Sequence, residues 1–168
     1  FGYVPQYLAY AGKQTAWEYL TERFSQLRSD LRSQEAALAS ASDDPARLET
    51  ALERYQRARD AYDAAGVDKV DAKAQMLLEQ FGLTHLRNNP VSTLSGGEKN
   101  FLSLSRTVLD EPDLLILDEP GNHLDYTGMD ALESYLGSYT GAVLIVSHNR
   151  YLLDRVVEMS WSTPADLL

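Results

Sequence analysis

The chain has 168 residues, which is enough for one domain of ordinary size built on a single core. Its composition is that of a globular protein, without cysteine and without an apolar run long enough to cross a membrane, which excludes disulfides, cysteine nucleophiles and membrane-spanning helices. The net charge of −10 disfavours a stand-alone nucleic-acid binder, and residues 88–168 carry −8 of it.

The first residues read as a short strand rather than as the beginning of a protein. Residues 1–6 form a β-like run that Pro5 interrupts. Because neither Met nor a secretory signal opens the sequence, we expect a cytoplasmic chain taken from the interior of a longer protein.

Two helices with narrow apolar stripes are predicted next. The apolar residues of 16–40 repeat at spacings of 3, 4, 3, 4 and 7. After a turn that leads into Pro45, a second helix repeats at 4, 3 and 7 and ends at Gly66. Two such stripes joined by a short polar turn predict an antiparallel helical hairpin. The alternative is that both helices pack on a globular core, which so narrow a stripe would cover poorly.

The remaining pattern is that of an α/β protein. A third helix is predicted at 68–81, with Gly82 as its stop. The order after Asn89-Pro90 is a helix at 95–109, a strand at 114–117, a helix at 129–136, a strand at 142–146 and a last strand at 156–159. The continuous apolar runs of 114–117 and 142–146 predict strands buried on both faces of a parallel sheet.

Polar groups stand where parallel α/β proteins bind phosphate ligands. Asp118-Glu119 ends one buried strand, where one carboxylate can hold Mg²⁺ while the other activates a water. Gly96-Gly97 begins a helix whose N–H groups suit an anion, and Ser95 adds a hydroxyl that also suits an N-cap. His148 ends the next strand and can donate a hydrogen bond to a phosphate oxygen. Each group also has an ordinary structural interpretation: solvated acids, a flexible cap and a structural histidine.

In this order, the motifs resemble those of the ATP-binding cassette (ABC) ATPases. The resembling segments are Leu94-Ser95-Gly96-Gly97-Glu98 (signature motif), 114–119 (Walker B), Asn122-His123-Leu124-Asp125 (D-loop), Ser147-His148 (switch histidine) and Gly2 to Gln6 (Q-loop). Leu94 and Asp118 are 24 residues apart, as in that family. The sequences of 94–100, 119–125 and 147–151 are similar to those of the ABC-F class. Members of that class are soluble tandem cassettes associated with ribosomes and translation.

The resemblance implies an α/β fold, a partial ABC-type P-loop NTPase domain with a parallel-sheet core and an all-α subdomain that bears the antiparallel helical hairpin. The implied order is a Q-loop strand and linker at 1–12, the hairpin at 13–67, a helical subdomain with the signature motif at 68–110 and the ATPase core at 111–168. The 87 residues between Gln6 and Leu94 resemble the arm inserted in the first ABC-F cassette.

The resemblance also implies an ATPase that uses ATP and Mg²⁺. Glu119 would be the general base, His148 would contact the γ-phosphate, Asp118 would support Mg²⁺, and Gln6 would sense Mg²⁺ or the attacking water. Asp125 would couple two sites in an ATP sandwich with a second cassette, whose nucleotide would be contacted by the signature residues Ser95, Gly96, Gly97 and Glu98. The implied partners are that cassette and the ribosome or its RNA, with no membrane.

Some features depart from the family pattern. Gly121 stands where threonine is usual and Asn149 where aspartate is usual, and we expect both to soften coupling beside the site. Phe101 replaces a common arginine and is expected to remove a charge from a helix surface. No complete G-x-x-x-x-G-K-[ST] loop occurs, since Gly12-Lys13-Gln14 lacks the first glycine and the hydroxyl. In the family that loop precedes the Q-loop, so we expect a truncated first cassette that binds MgATP poorly alone.

The sequence is also compatible with other functions. The chain could be a nucleotide-incompetent interaction module that uses the hairpin, with Arg47, Arg54, Arg57 and Arg59 touching ribosomal RNA, although acids are interleaved with them. It could also be the ATPase subunit of an ABC transporter. A chromosome protein of the SMC type shares Leu-Ser-Gly-Gly but has a far longer coiled coil.

Overall fold

The α/β part of the chain is built on a three-stranded parallel sheet. The structure, a computed structural model, describes residues 1–5, 13–41 and 45–156. Strands β1 (Gly2–Val4), β2 (Leu114–Asp118) and β3 (Ala142–Val146) lie in the order β1-β2-β3, with β2 in the middle. Helix α6 (Tyr126–Ser138) connects β2 to β3, and α7 (Arg150–Val156) follows β3. The predicted α/β class and parallel sheet are therefore confirmed.

Within the described ranges, only one face of this sheet is well covered. Leu115 and Leu117 of β2 are fully buried on that face and belong to the same hydrophobic core as Val4. On the other face, Leu144 and Val146 of β3 expose 44% and 55% of their surface. The prediction of strands buried on both faces is therefore wrong for the described chain, because the core lies against the face that carries Leu115 and Leu117.

The end of the described chain also differs from the prediction. Val156 is the last residue of α7, so the strand predicted at 156–159 would begin inside a helix. Residues 157–159 lie outside the described residues, as does the stretch after them.

The all-α part consists of successive helices that precede β2. These are α1 (Ala16–Thr21), α2 (Ser25–Ser40), α3 (Pro45–Ala64), α4 (Val67–Gln80) and α5 (Gly96–Val108). Helices α2 and α3 pair in opposite directions, since the start of α2 faces the end of α3 and the end of α2 faces its start. The predicted antiparallel hairpin is thus confirmed. The helix predicted at 16–40 is instead divided by a 3₁₀ turn at Glu22–Phe24.

Helix α1 belongs to the core, and its contacts explain this division. A capping box begins it: the Glu18 N–H donates to Thr15 Oγ1 at 3.2 Å and the Thr15 N–H donates to Glu18 Oε2 at 2.8 Å. The Trp17 N–H donates to the Arg87 carbonyl at 3.0 Å, and the Arg87 guanidinium lies 3.6 Å from the centroid of the Trp17 ring. At the other end, the Thr21 hydroxyl donates back to the Trp17 carbonyl at 2.9 Å, a contact that bends helices.

An aromatic cluster joins α4, α5 and α6. Phe81, directly after α4, stacks on Phe101 of α5 with ring centroids 4.6 Å apart, and Tyr135 of α6 tilts against Phe81 at 5.3 Å. Phe101 is only 6% exposed. The expectation that Phe101 removes a charge from a helix surface is therefore wrong, because this side of α5 packs against α4 and a ring fills the contact.

Tyr135 in this cluster gives a testable pH dependence. Burial, with a smaller contribution from Tyr139, raises the pKa of Tyr135 to about 12. The folded state therefore keeps this proton more strongly than the unfolded chain does. The corresponding stability is complete below the ordinary tyrosine pKa of about 10 and is lost as the pH rises from there towards about 12.

We expect Tyr135→Phe to remove this part of the alkaline decline in the free energy of unfolding. Urea unfolding between about pH 9 and about pH 11.5 measures it. Tyr126→Phe, at a position 78% exposed, is the matched control and should decline as the unchanged chain does. Equal slopes for Tyr135→Phe and the unchanged chain would contradict the buried phenol.

Candidate functional site

The carboxyl ends of β2 and β3 bring together three of the predicted site residues. Asp118 is the last residue of β2 and Glu119 follows it, while His148 is the second residue after β3. The Glu119 N–H donates to the Val146 carbonyl at 2.8 Å, which ties the turn after β2 to the end of β3. This edge is where parallel α/β sheets bind their ligands.

The Glu119 carboxylate is held in a fixed position by the residues that follow β3. Ser147 Oγ donates to Oε2 at 3.2 Å, and the His148 N–H donates to Oε1 at 3.0 Å. Nδ1 of His148 lies 2.9 Å from the same Oε1, and the Glu119 side chain is 18% exposed. Its backbone φ of 50° lies in the left-handed region, which non-glycine residues adopt at a cost.

Ser147 is a contact that sequence reasoning did not single out as a site residue. Its hydroxyl donates to Glu119 and accepts the Asn149 N–H at 3.1 Å, so it joins the catalytic candidate to the start of α7. The signal was present in the sequence, because Ser147 immediately precedes the predicted histidine.

Asp118 faces a tyrosine of β1 that was also missed. The Tyr3 hydroxyl donates to Asp118 Oδ2 at 3.3 Å. Burial, followed by the charge and hydrogen bond of Asp118, raises the pKa of Tyr3. The register that pairs Tyr3 with Ile116 places both residues on the same sheet face as Asp118. Gln6, predicted to assist Asp118, lies outside the described residues.

The carboxylates at this edge fit a Mg²⁺ ion that is bound mainly through phosphate and water. In the part of the chain that the structure describes, no group of three or more His, Asp and Glu side chains could hold a metal ion. Magnesium in nucleotide sites takes one or two carboxylates and completes its shell with phosphate oxygens and water. Asp118 can supply one such carboxylate.

The signature segment, residues 94–98, begins α5 with a capping box. The Glu98 N–H donates to Ser95 Oγ at 3.3 Å, and the Ser95 N–H donates to Glu98 Oε2 at 2.6 Å. The predicted N-cap role of Ser95 is confirmed. Gly96 and Gly97 follow as the first helical residues, whose N–H groups lack partners within the helix.

Two further predicted positions also begin helices. Asp125 Oδ1 accepts the Gly128 N–H at 2.7 Å and caps α6. Asn149 Oδ1 accepts the Leu152 N–H at 3.3 Å at the start of α7. Because asparagine and aspartate cap helices about equally well, the departure at 149 leaves this end of α7 intact.

At Gly121, where the family usually has threonine, a neighbouring side chain fills the space beside the glycine. A Cβ placed on Gly121 would lie 2.9 Å from the terminal methyl of Met129. Met129 therefore occupies the space in which a threonine side chain would begin.

The signature segment and the turn at Asp118-Glu119, which is the candidate catalytic turn, meet through the loop at 121–124. Asn100 Nδ2, one turn into α5, donates to the Asn122 carbonyl at 2.7 Å. The Asn122 N–H in turn donates to the Glu119 carbonyl at 3.1 Å. The structure thus connects two predicted groups that are about 20 residues apart in sequence.

Comparisons with known proteins agree with this geometry. The chain matches the family model described as ABC transporter over residues 2–122. It is 38% identical over 159 residues to the tylosin resistance ATP-binding protein TlrC of Streptomyces fradiae, which covers 92% of this chain and 29% of TlrC. It is 40% identical over 107 residues to the energy-dependent translational throttle protein EttA of Mycobacterium tuberculosis, covering 64% of this chain and 19% of EttA. The chain spans less than a third of the length of these curated relatives.

The relatives support the resemblance to the ABC-F class, and a solved structure supports the resemblance to the ABC-type fold. TlrC and EttA are ABC-F proteins, the class that the motif sequences predicted. A structure described as the ATP binding subunit of an ABC transporter matches with a TM-score of 0.59 at 20% identity, over 92% of this chain and 51% of that chain. This likeness confirms the ABC-type P-loop NTPase fold. Each helix in the described ranges is either too short or too polar to span a bilayer.

The capping box at the signature segment is directly testable. Ser95→Ala removes the acceptor of the Glu98 N–H, and we expect a loss of about 1 kcal/mol in the free energy of unfolding. Ser95→Gly should lose only a few tenths, since glycine is itself accepted at N-caps. Ser92→Ala, at an exposed position three residues earlier, should stay within about 0.5 kcal/mol of the unchanged chain. Urea unfolding that shows equal losses for the two alanine variants would argue against the cap.

Proposed function

The chain belongs to the ABC transporter family, and from that premise we propose that it is the ATP-binding and ATP-hydrolysing part of the first cassette of an ABC-F protein. The observation that carries this proposal is the Glu119 carboxylate, fixed at the carboxyl edge of the sheet by Ser147 and His148. A carboxylate held in this way can accept the proton of a water as that water attacks a phosphoryl group.

The other residues at this edge have separate roles in the proposal. His148 directs Nδ1 at Glu119, which leaves Nε2 available to a γ-phosphate oxygen. Asp118 would hold the nucleotide's Mg²⁺, with Gln6 assisting. When bound, Mg²⁺ neutralises phosphate charge and orients the phosphates.

We further propose that a second cassette completes the site. The signature residues Ser95 and Gly96 are exposed at the N-terminus of α5, where helix N–H groups and the helix dipole favour an anion. In the proposed sandwich they face the nucleotide of the other cassette, with Glu98 supporting the cap and Asp125 coupling the two sites. A cytoplasmic location belongs to the same proposal.

Replacement of Glu119 by glutamine tests the proposed base. The experiment uses the complete protein in which a P-loop accompanies this chain, because residues 1–168 contain no complete G-x-x-x-x-G-K-[ST] motif. We expect Glu119→Gln to lower ATP turnover by at least about 100-fold while ATP still binds and holds the cassettes closed, since the amide keeps the size of the side chain but cannot accept the proton.

Phosphate release measures the turnover, and ATP retained on the protein measures the closed state. Glu111→Gln is the matched control, because Glu111 lies before β2, at the end of that strand away from Asp118, and pairs with Lys73 at 2.8 Å. It should keep turnover within about twofold. Undiminished turnover in Glu119→Gln would remove Glu119 from the role of base.

We propose the ribosome as the partner of the α2–α3 hairpin. Shallow grooves run between the two helices, and Arg54 lines both of them, with Arg57 in one and Arg47 in the other. Arg54 and Arg57 are both exposed, and Arg57 pairs with Glu53 at 3.4 Å. EttA is a translational throttle protein by its name, which supports a partner in translation. In the second candidate function, an interaction module without hydrolysis, these grooves would bind the partner with no contribution from ATP turnover.

Reversal of one charge tests this surface. In the complete protein we expect Arg54→Glu to weaken co-sedimentation with ribosomes roughly tenfold at moderate salt, because arginine contacts with phosphates carry much of such binding. Arg32→Glu is the matched control, since Arg32 is an exposed arginine of α2 that lines neither groove. Equal binding by the two variants would exclude this face as the contact.

A further inference from the structure

The two glycines of the signature segment face the loop that follows Glu119. A Cβ on Gly96 would lie 2.9 Å from both Cβ and Cγ of His123 and 3.1 Å from its Cδ2. A Cβ on Gly97 would lie 2.8 Å from the His123 carbonyl oxygen and 3.1 Å from Cδ2 of Leu124. Atoms this close repel, so glycine is required at both positions. At 96 the His123 side chain imposes the requirement, and at 97 its backbone does.

His123 is itself held in an unusual conformation. Its φ of 63° lies in the left-handed region, which a histidine keeps only where the surroundings fix it. Those surroundings are visible on both sides: Asn100 Nδ2 donates to the Asn122 carbonyl at 2.7 Å, and the Leu124 N–H donates to the Gly121 carbonyl at 3.3 Å. The loop is therefore shaped so that it presents residue 123 to the start of α5.

We propose that His123 is a positioning residue that holds the start of α5 against the loop after Glu119. Through this contact, termed the His123 clasp, the signature segment and the catalytic turn move as one body. The contact runs from Glu119 through Asn122 to His123 and from there to Gly96 and Gly97. Its catalytic consequence rests on the proposed function: one contact would align the base of one site with the segment that serves the other.

The contact with His123 and the usual explanation of such glycines predict opposite changes in stability for Gly96→Ala. If Gly96 is glycine only so that a phosphate can approach, Gly96→Ala should leave the nucleotide-free chain as stable or slightly more stable, because alanine favours a helix more than glycine does. If His123 occupies that space, the same substitution destabilises the chain without any nucleotide present.

Thermal unfolding of the chain without nucleotide decides between them. We expect Gly96→Ala to lower the Tm by about 5 °C and His123→Gly to restore at least half of that loss in the double variant. The second substitution deletes the clashing Cβ, Cγ and Cδ2 and suits the left-handed backbone. Gly97→Ala is the matched control: it should lower the Tm similarly, and His123→Gly should not restore it, because the carbonyl remains.

Each outcome of the unfolding series has a definite meaning. A Tm for Gly96→Ala equal to or above that of the unchanged chain would overturn the clasp, and so would equal rescue of both alanine variants by His123→Gly. Should the single alanine variants fail to fold, the expected result is that His123→Gly restores folding to Gly96→Ala alone. Because nucleotide is absent, this result does not depend on the proposed ATPase activity.

Turnover in the complete protein separates positioning from simple stability. Well below the Tm of every variant, we expect Gly96→Ala to lose at least about tenfold in ATP turnover and to regain most of it with His123→Gly, whereas Gly97→Ala stays impaired in both backgrounds. Full turnover in Gly96→Ala would contradict the positioning role, while the assignment of Glu119 as base would still be judged by Glu119→Gln alone.

Discussion

The parallel register between β2 and β3 is the constraint on which the site depends. It pairs Asp118 with Val146, so both strands end together, and the Glu119 N–H reaches the Val146 carbonyl directly beyond the last pair. Only this alignment brings the Glu119 carboxylate to Ser147 and to the backbone of His148. A slip of one residue would also turn the buried leucines of β2 towards the uncovered face. The hydrophobic core and the sheet edge that carries Glu119 therefore select the same register.

The acidic character of residues 88–168 has several local causes. Glu98 and Asp125 cap helices, where a carboxylate is favoured by unpaired N–H groups and by the helix dipole. Glu133, on α6, pairs with Arg155 of α7 at 3.0 Å. Among the described acids of this half, Asp118 and Glu119 are the two that we propose for phosphate chemistry. The negative charge therefore reflects helix starts and interhelical pairs as much as the site, and a count of acids alone would have overstated a metal centre.

Local rules predicted the elements and motifs well, and long-range contacts account for what was missed. The exact span of β3 and the cap at Ser95 follow from a continuous apolar run and from residue preferences at helix starts. The burial of Phe101 depends on Phe81, which is 20 residues away, and the hydrogen bond from Tyr3 to Asp118 spans more than 100 residues. The need for glycine at 96 depends likewise on His123, a contact that no helical or strand periodicity encodes.

The loop between β2 and α6 is fixed at both ends and twice bent into the left-handed region, at Glu119 and at His123. One end is tied to Val146, and the other ends in the cap of α6 at Asp125. The number of residues in this loop is consequently as constrained as the identity of its side chains. The loop can accept a different residue where a neighbouring side chain fills or frees the space, as Met129 fills it at Gly121. An added or deleted residue would instead displace the carboxylate, the contact with α5 and the helix cap together. Variation among proteins of this kind should therefore take the form of substitutions in this loop, with insertions confined to other connections.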